Sequence, residues 1–187
     1  MEREKALDDL RVIRQVMERT RRASSTVGGW FMLLWGVVWL VGFLGNQFLS
    51  ETASNWTWAV LDALGALVSF WLVWRERRHG RVRSNIGKVV TLWWLALFAF
   101  DVLLIGLLRI RDGRDVAMLI ILTIALGYVQ FGLFTHWSIS VIGATLALLT
   151  VLAALFLSDY FYAVVAVLGG ALLIGSGLRA IRQSREG

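Results

Sequence analysis

The stretch that decides the fold is Trp74-Arg-Glu-Arg-Arg-His-Gly-Arg-Val-Arg-Ser-Asn-Ile-Gly-Lys88, which separates two long apolar runs. This arginine-rich segment contains six of the 19 Lys and Arg residues of the chain. Basic residues that flank membrane spans stay on the cytoplasmic side, so the segment fixes which side every other part of the chain faces. The residues expected to contact anionic lipid headgroups are Arg75, Arg77, Arg78, Arg81, Arg83 and Lys88.

The composition is that of an integral membrane protein. Of the 187 residues, 58% are hydrophobic and 17% are charged, with a mean hydropathy of +0.68. A water-soluble domain of this length has too little polar surface to cover so much apolar side chain. The absence of cysteine excludes disulfides and thiolate chemistry, and the absence of proline favours uninterrupted helices. The net charge of +6 is explained by span-flanking residues, so no nucleic-acid partner is expected.

Six apolar runs predict six membrane-spanning helices, each near the ~20 residues that a bilayer requires. The runs cover residues 27–49, 56–74, 89–108, 116–134, 138–157 and 161–178. The predicted fold is therefore an all-α bundle of six spans at 27–178, with a cytosolic amphipathic helix at 1–26 before it and a basic cytosolic tail at 179–187. The connections between the last three runs are so short that these runs must be antiparallel neighbours.

Counting basic residues orients the chain. The leader contains seven Lys and Arg residues, the arginine-rich segment six and the tail three. With both termini in the cytoplasm, sixteen of these side chains face inward and three face outward, so this threading is preferred. The three outward ones lie in RIRDGRD, residues 109–115, which is discordant with the positive-inside rule. The predicted location is the inner, or plasma, membrane.

The leader is predicted to be an amphipathic helix with a narrow apolar stripe. Three arrangements remain open for this stripe: packing on the protein's own cytosolic face, pairing with a protein partner or another copy, and lying on the lipid surface. The stripe has 4-3-4 spacing and consists of Ala6, Leu10, Ile13 and Met17.

The leader sequence DLRVIRQVMERT, followed by a glycine-rich apolar span, resembles a group of uncharacterised bacterial multi-pass membrane proteins. Their leaders read roughly D-[LI]-R-x-[IM]-[RM]-x-x-M-E-R-[ST]. The resemblance covers about residues 7–45, roughly a fifth of the chain. It implies the membrane topology and a bacterial inner-membrane setting, and it implies no chemistry.

Two carboxylates lie inside the apolar runs and define a candidate intramembrane polar site. Asp62 is about 9 Å and Asp101 about 10 Å from the outer ends of their runs, at 1.5 Å per residue. A charged aspartate near the bilayer centre costs about 2.5–3.5 kcal/mol, so such residues usually face the protein interior and are functional candidates.

Three interpretations of the two acids remain open. They share a proton or bind a cation. Alternatively, each pairs with an arginine from the outer rim, Arg109 or Arg111. In the third interpretation they are hydrogen-bonded structurally to Asn46, Gln47 or the Ser and Thr side chains of neighbouring spans.

The sequence shows no catalytic motif, and neither a cofactor nor a metal site is expected. The favoured function is a non-enzymatic membrane subunit that scaffolds or regulates a partner through the leader and the arginine-rich segment. The alternative is a small proton- or cation-linked transporter or channel that uses Asp62 and Asp101. Close helix packing is expected at three small-residue pairs, Ala166/Gly170, Ala171/Gly175 and Ala59/Ala63.

Overall fold

The computed structural model of the chain describes residues 26–78 and 86–186, in which every element of secondary structure is helical. Six helical segments in these residues are long and apolar enough to cross a membrane, the sixth being Ser158–Gln183. The predicted all-α fold with six spans is confirmed, while the leader lies outside the described residues except for Thr26. The helices are α1 (Thr26–Phe48), α2 (Glu51–Arg78), α3 (Ile86–Leu108), α4 (Gly113–Phe134), α5 (Trp137–Phe156), α6 (Phe161–Val164) and α7 (Gly170–Glu186).

Three short connections meet at one end of the bundle, which we call the distal end: residues 49–50, 109–112 and 157–160. The side-chain amide of Gln47, at the end of α1, donates to the carbonyl oxygen of Asp159 at 3.0 Å and accepts from the backbone amide of Ala163 at 3.2 Å. The start of the sixth span is thereby held against the end of α1. The opposite, proximal end holds the start of α1 and the end of α7.

The turn between α3 and α4 is built from residues 109–112. Arg109 has φ 53°, in the left-handed region, and the next amide, of Ile110, donates back to the carbonyl of Ile105 at 3.1 Å. This geometry usually ends a helix with glycine, and a residue with a Cβ costs roughly 1–2 kcal/mol there. Asp112 then caps α4, because its Oδ1 accepts from the backbone amides of Arg114 and Asp115 at 2.8 and 3.3 Å.

Helices α1 and α7 run antiparallel and approach closely through glycines. At Gly29 an added Cβ would lie 2.9 Å from the carbonyl oxygen of Gly177, and at Gly177 it would lie 2.6 Å from that of Gly29. Seven residues further along α1, a Cβ added to Gly36 would lie 2.8 Å from the side chain of Ile174. Gly170 in turn lies against the carbonyl oxygen of Gly36. Glycine is required at these positions because the two backbones are in direct contact.

Helices α4 and α5 form the second close pair, as their short connection predicts. A Cβ on Gly143 would meet the carbonyl oxygen of Ala125 at 2.5 Å, and Gly132 faces the backbone of Ser140. The hydroxyl of Ser140 donates to the carbonyl of Val129 at 2.9 Å, so this pair also has a hydrogen bond. The prediction that the fourth, fifth and sixth spans are neighbours is confirmed by these contacts and by Gly169, which faces α5.

The sixth span is not the uninterrupted helix that the absence of proline predicted. Residues Val165–Gly169 form a π-helical turn between α6 and α7. A π turn adds a residue and therefore changes the face that the following residues present. It directs Gly169 towards Leu146 of α5 and Trp39 of α1, at 3.3 and 3.7 Å from an added Cβ, while Gly170 still contacts α1. Gly169 thus meets both α5 and α1, whereas the atoms nearest to Gly170 all belong to α1.

Helices α2 and α3 are peripheral. Only 6% of the most apolar stretch of each is buried inside the molecule, against 28–39% for the other four spans. Helix α2 lies on α1, where Gly65 contacts Trp35, and α3 lies on α4, where Trp94 covers Gly127. Most of the surface of these two helices is therefore left for lipid or for another protein.

The three predicted small-residue pairs have different outcomes. Ala166 and Gly170 are both buried, and Gly170 packs on α1. By contrast, Gly175 has no atom within 4 Å of an added Cβ, and the pair Ala59 and Ala63 on α2 is exposed. The sequence motif alone does not distinguish a packed face from a lipid-facing one.

Candidate intramembrane polar site

Asn46 does not contact either acid; it joins α1 to α2. Its side-chain oxygen accepts from the hydroxyl of Ser54 and from the indole N–H of Trp58, the latter at 2.8 Å. The indole ring lies across Gly42 of α1, 2.7 Å from an added Cβ, and stacks edge-on against Phe43. Glycine at position 42 makes room for the ring, and Asn46 fixes its orientation.

Asp101 is enclosed between α3 and α4. The side chain is 2% exposed, and within residues 89–108 of α3 it is the only buried one. The hydroxyl of Thr123 on α4 donates to Oδ1 at 2.7 Å. The other oxygen, Oδ2, is buried and has no hydrogen-bond donor among the described residues. The one buried residue in this part of α3 is therefore an acid, and it lies at the contact with α4.

Asp62 is placed differently, although the sequence puts it at a similar depth. It follows Leu61, which packs towards α1, but its own side chain is exposed on α2. The large apolar residues around it, Val60 and Leu64, are exposed as well. Within the described part of the chain Asp62 makes no hydrogen bond or ion pair. An apolar, lipid-facing helix surface therefore includes one carboxylate.

The two outer-rim arginines, Arg109 and Arg111, are exposed in the turn between α3 and α4. Neither forms an ion pair with a carboxylate of the described residues, so the structure does not bring them to Asp62 or Asp101. The nearest acid in the chain, Asp112, is engaged in capping α4. Both side chains are thus exposed at the distal end of the bundle.

The structure therefore separates the five residues that the sequence grouped. Asp101 has the structural hydrogen bond of the third interpretation, with Thr123 as its donor. The two acids lie on helices that pack on different neighbours, α2 on α1 and α3 on α4. Thr123 and Trp58 were not predicted as members of the site. Their only signals in the sequence were a hydroxyl in the middle of an apolar run and an indole 12 residues after Asn46, beyond a short polar connection.

Two of the predicted lipid-contacting arginines are ordered by tryptophans at the proximal end of α2. The guanidinium carbon of Arg75 is 5.3 Å from the ring centroid of Trp71, and that of Arg78 is 3.8 Å from the centroid of Trp74. Stacked pairs of this kind are suited to the headgroup region, where one side is apolar and the other is wet. Arg81 and Arg83 lie outside the described residues, and the structure describes the helical backbone of Arg77 and Lys88 without their side chains.

The predicted apolar stripe of the leader also lies outside the described residues. Its members are Ala6, Leu10, Ile13 and Met17. What the structure does describe is the point of entry, because Gly29 of α1 lies against Ala180 and Ile181 of α7. The leader therefore joins the bundle beside the basic end of α7, where Arg179 and Arg182 are exposed.

Comparison with known proteins finds no matching family model, no matching curated protein and no matching solved structure. The fold and the polar contacts define the class: an all-α protein whose six apolar helices fit an integral, multi-pass membrane protein.

Proposed function

We propose that the protein is a non-enzymatic membrane subunit that scaffolds or regulates a partner protein. The supporting observation is the use of the polar groups inside the spans, which join helices to one another. Asn46 joins α1 to α2, Gln47 joins α1 to the sixth span, and Thr123 joins α4 to Asp101 of α3. Groups used in this way give a stable membrane platform, as expected for a component that positions something else.

The contact with the partner is assigned to the cytosolic side. The basic-residue count favours a cytoplasmic location for both termini and the arginine-rich segment. The resemblance of the leader to bacterial multi-pass membrane proteins implies that this membrane is a bacterial inner membrane. The close approach of Gly29 to α7 supports this assignment, since the point at which the leader is attached to α1 is then near the basic end of α7, which includes Arg179 and Arg182. A leader with one apolar stripe, beside a basic helix end, provides a surface for an amphipathic partner helix that has acidic flanks.

Affinity capture of the full chain in mild detergent, with mass spectrometry of what is retained, tests this function. Leu10→Glu places a charge on the stripe, and Gln15→Glu places the same charge on the opposite face of the leader as a matched control. We expect the wild type and Gln15→Glu to retain the same partner protein, and Leu10→Glu to lose most of it. Retention of the partner by both variants, or retention of only the protein itself by the wild type, would refute the proposal.

The alternative, proton- or cation-linked transport through Asp62 and Asp101, is favoured by one observation, the buried Oδ2 of Asp101 without a donor. Reconstitution into liposomes distinguishes the two functions. Under the alternative, proton or cation flux exceeds that of empty liposomes and is abolished by Asp101→Asn. Under the scaffold function, the flux equals that of empty liposomes for the wild type and for the variant.

A further inference from the structure

Three charged side chains near the distal end have no partner in the described part of the chain. Asp62 is exposed in the apolar span of α2, and Arg109 and Arg111 are exposed in the turn that follows α3. The acid lies eleven residues after the start of α2 at Glu51 and six residues, or about 9 Å, beyond Trp56. Opposite charges are thus present on one molecule, the acid within a span and the arginines at its rim, without meeting in the part that the structure describes.

The backbone conformation of Arg109 is a second reason to look for a partner of its side chain. It occupies a left-handed position, φ 53°, which glycine would fill without strain. The arginine makes no ion pair with a described residue that would offset this strain. A strained position that holds a charged side chain is a reason to look for a function of that side chain.

The surfaces that present these charges are also the least covered ones. Helices α2 and α3 each bury 6% of their most apolar stretch, and large residues such as Leu67 on α2 and Leu103 on α3 are exposed. Lipid alone would cover the apolar residues. It would not neutralise Asp62, because a lipid-facing carboxylate is costly without a partner.

We propose that two copies of this chain associate in the membrane, with α2 of each copy against the distal end of α3 of the other. In this dimer the carboxylate of Asp62 pairs with Arg109 or Arg111 of the second copy, and twofold symmetry forms the contact twice. All copies are threaded in the same direction, so the axis is normal to the membrane and the two distal ends are level. To meet the acid, the arginine side chain has to extend from the rim into the span, where a charged group is stable only when it is paired.

A second copy fits better than an unrelated basic helix because this chain supplies both charges, the acid on α2 and the arginines at the end of α3. It also explains why the turn keeps Arg109 and Arg111 on the side where the positive-inside rule disfavours them. The inference does not rest on the proposed function, since the leader takes no part in the contact. A result that refutes the dimer does not refute the proposed function, and the reverse also holds.

The test uses thiol cross-linking. Because the chain contains no cysteine, the introduced cysteines are its only thiols. Ala59→Cys on α2 of one tagged copy and Leu107→Cys on α3 of a differently tagged copy are cross-linked in native membranes with a short bifunctional thiol reagent. Both positions are exposed, and exposed Leu155→Cys on α5, also near the distal end, replaces Leu107→Cys as the control. We expect the α2–α3 pair to form mixed dimers well above the control.

Charge reversal then tests the ion pair itself. One copy has Asp62→Arg and the other has Arg109→Asp with Arg111→Asp. Each variant paired with itself faces like charges at both contacts, and cross-linking should fall by about tenfold or more. Mixing the two variants restores opposite charges at both contacts, so the mixed dimer should cross-link close to the wild-type level.

Rescue in the mixture cannot come from improved folding of either copy, because each copy is unchanged by mixing. Three results would overturn the proposal. One is a mixture that cross-links no better than the separate variants. Another is wild-type cross-linking that does not exceed the Leu155→Cys control. The third is an Ala59→Cys adduct with a different protein in place of a second copy.

Discussion

The contact between α1 and α7 can be tested with two neighbouring glycines of α7 that have opposite surroundings. The three atoms nearest to a Cβ at position 177 would all be backbone atoms of α1: the carbonyl oxygen of Gly29 at 2.6 Å, and the nitrogen and Cα of Leu33 at 2.7 and 3.2 Å. At Gly175, two residues earlier on the same helix, nothing lies within 4 Å. Gly177→Ala and Gly175→Ala are therefore the same chemical change, one at a crowded helix contact and the other at an open position.

The expected effects follow from two terms of opposite sign. Replacing glycine by alanine inside a helix stabilises it by roughly 0.5–1 kcal/mol, and this term is common to both variants. Overpacking against atoms that cannot rotate away costs about 1–3 kcal/mol, and only Gly177→Ala incurs it. We therefore expect Gly175→Ala to equal or exceed the wild type in stability, and Gly177→Ala to fall below Gly175→Ala by about 1–3 kcal/mol.

Unfolding by sodium dodecyl sulfate in mixed micelles gives this difference, with the fluorescence of the 10 tryptophans as the signal. The helix-propensity term is common to both variants and cancels when their free energies of unfolding are subtracted. The remaining difference is the cost of placing a Cβ against the backbone of α1. If the variants differ by less than about 0.5 kcal/mol, the range of an ordinary surface substitution, the backbone contact between α1 and α7 is wrong.

Three further substitutions test the polar contacts by the same unfolding assay or by amide exchange. Thr123→Val removes the hydroxyl that donates to Asp101 and should cost about 0.5–1.5 kcal/mol, while Thr123→Ser should cost less; equal losses would exclude the hydrogen bond. Asn46→Ala leaves the indole N–H and hydroxyl of α2 without their acceptor and should cost about 1–2 kcal/mol, whereas Asn55→Ala, at an exposed position, should have no such effect. Gln47→Leu should accelerate amide exchange at the start of the sixth span and leave α4 unchanged; unchanged exchange at the sixth span would contradict the contact.

The number and position of the spans were predictable because hydropathy depends only on local composition. The run predicted at 116–134 is Gly113–Phe134, and the run at 138–157 is Trp137–Phe156. The α-helix extends further than the apolar run mainly where polar residues continue it, as in α2, which reaches Arg78. Such extensions do not change the class of fold.

The faces of the spans were not predictable in the same way. In water, apolar periodicity marks the buried face, but in a membrane both lipid and protein neighbours accept apolar side chains. Asp62 and Asp101 both lie among apolar residues in the sequence, yet Asp62 is exposed and Asp101 is only 2% exposed. The glycines at 29 and 36 and at 170 and 177 were the better signal, because both pairs are seven residues apart and they meet each other across the helix contact.

Two modes of helix association occur in the molecule. Where backbones touch, as between α1 and α7 and between α4 and α5, close packing holds the helices together, and the hydrogen bonds of Gln47 and Ser140 add to it. Where a helix buries little, apolar contact gives no net gain over lipid, so a hydrogen bond has to supply the attachment. The hydrogen bonds of Asn46 and of Asp101 lie at the contacts of α2 and α3, the two least buried spans. Asp62 belongs to neither mode, since it neither packs nor bonds within its own chain. An acid in a span that contributes nothing to its own fold is best explained by a contact outside it.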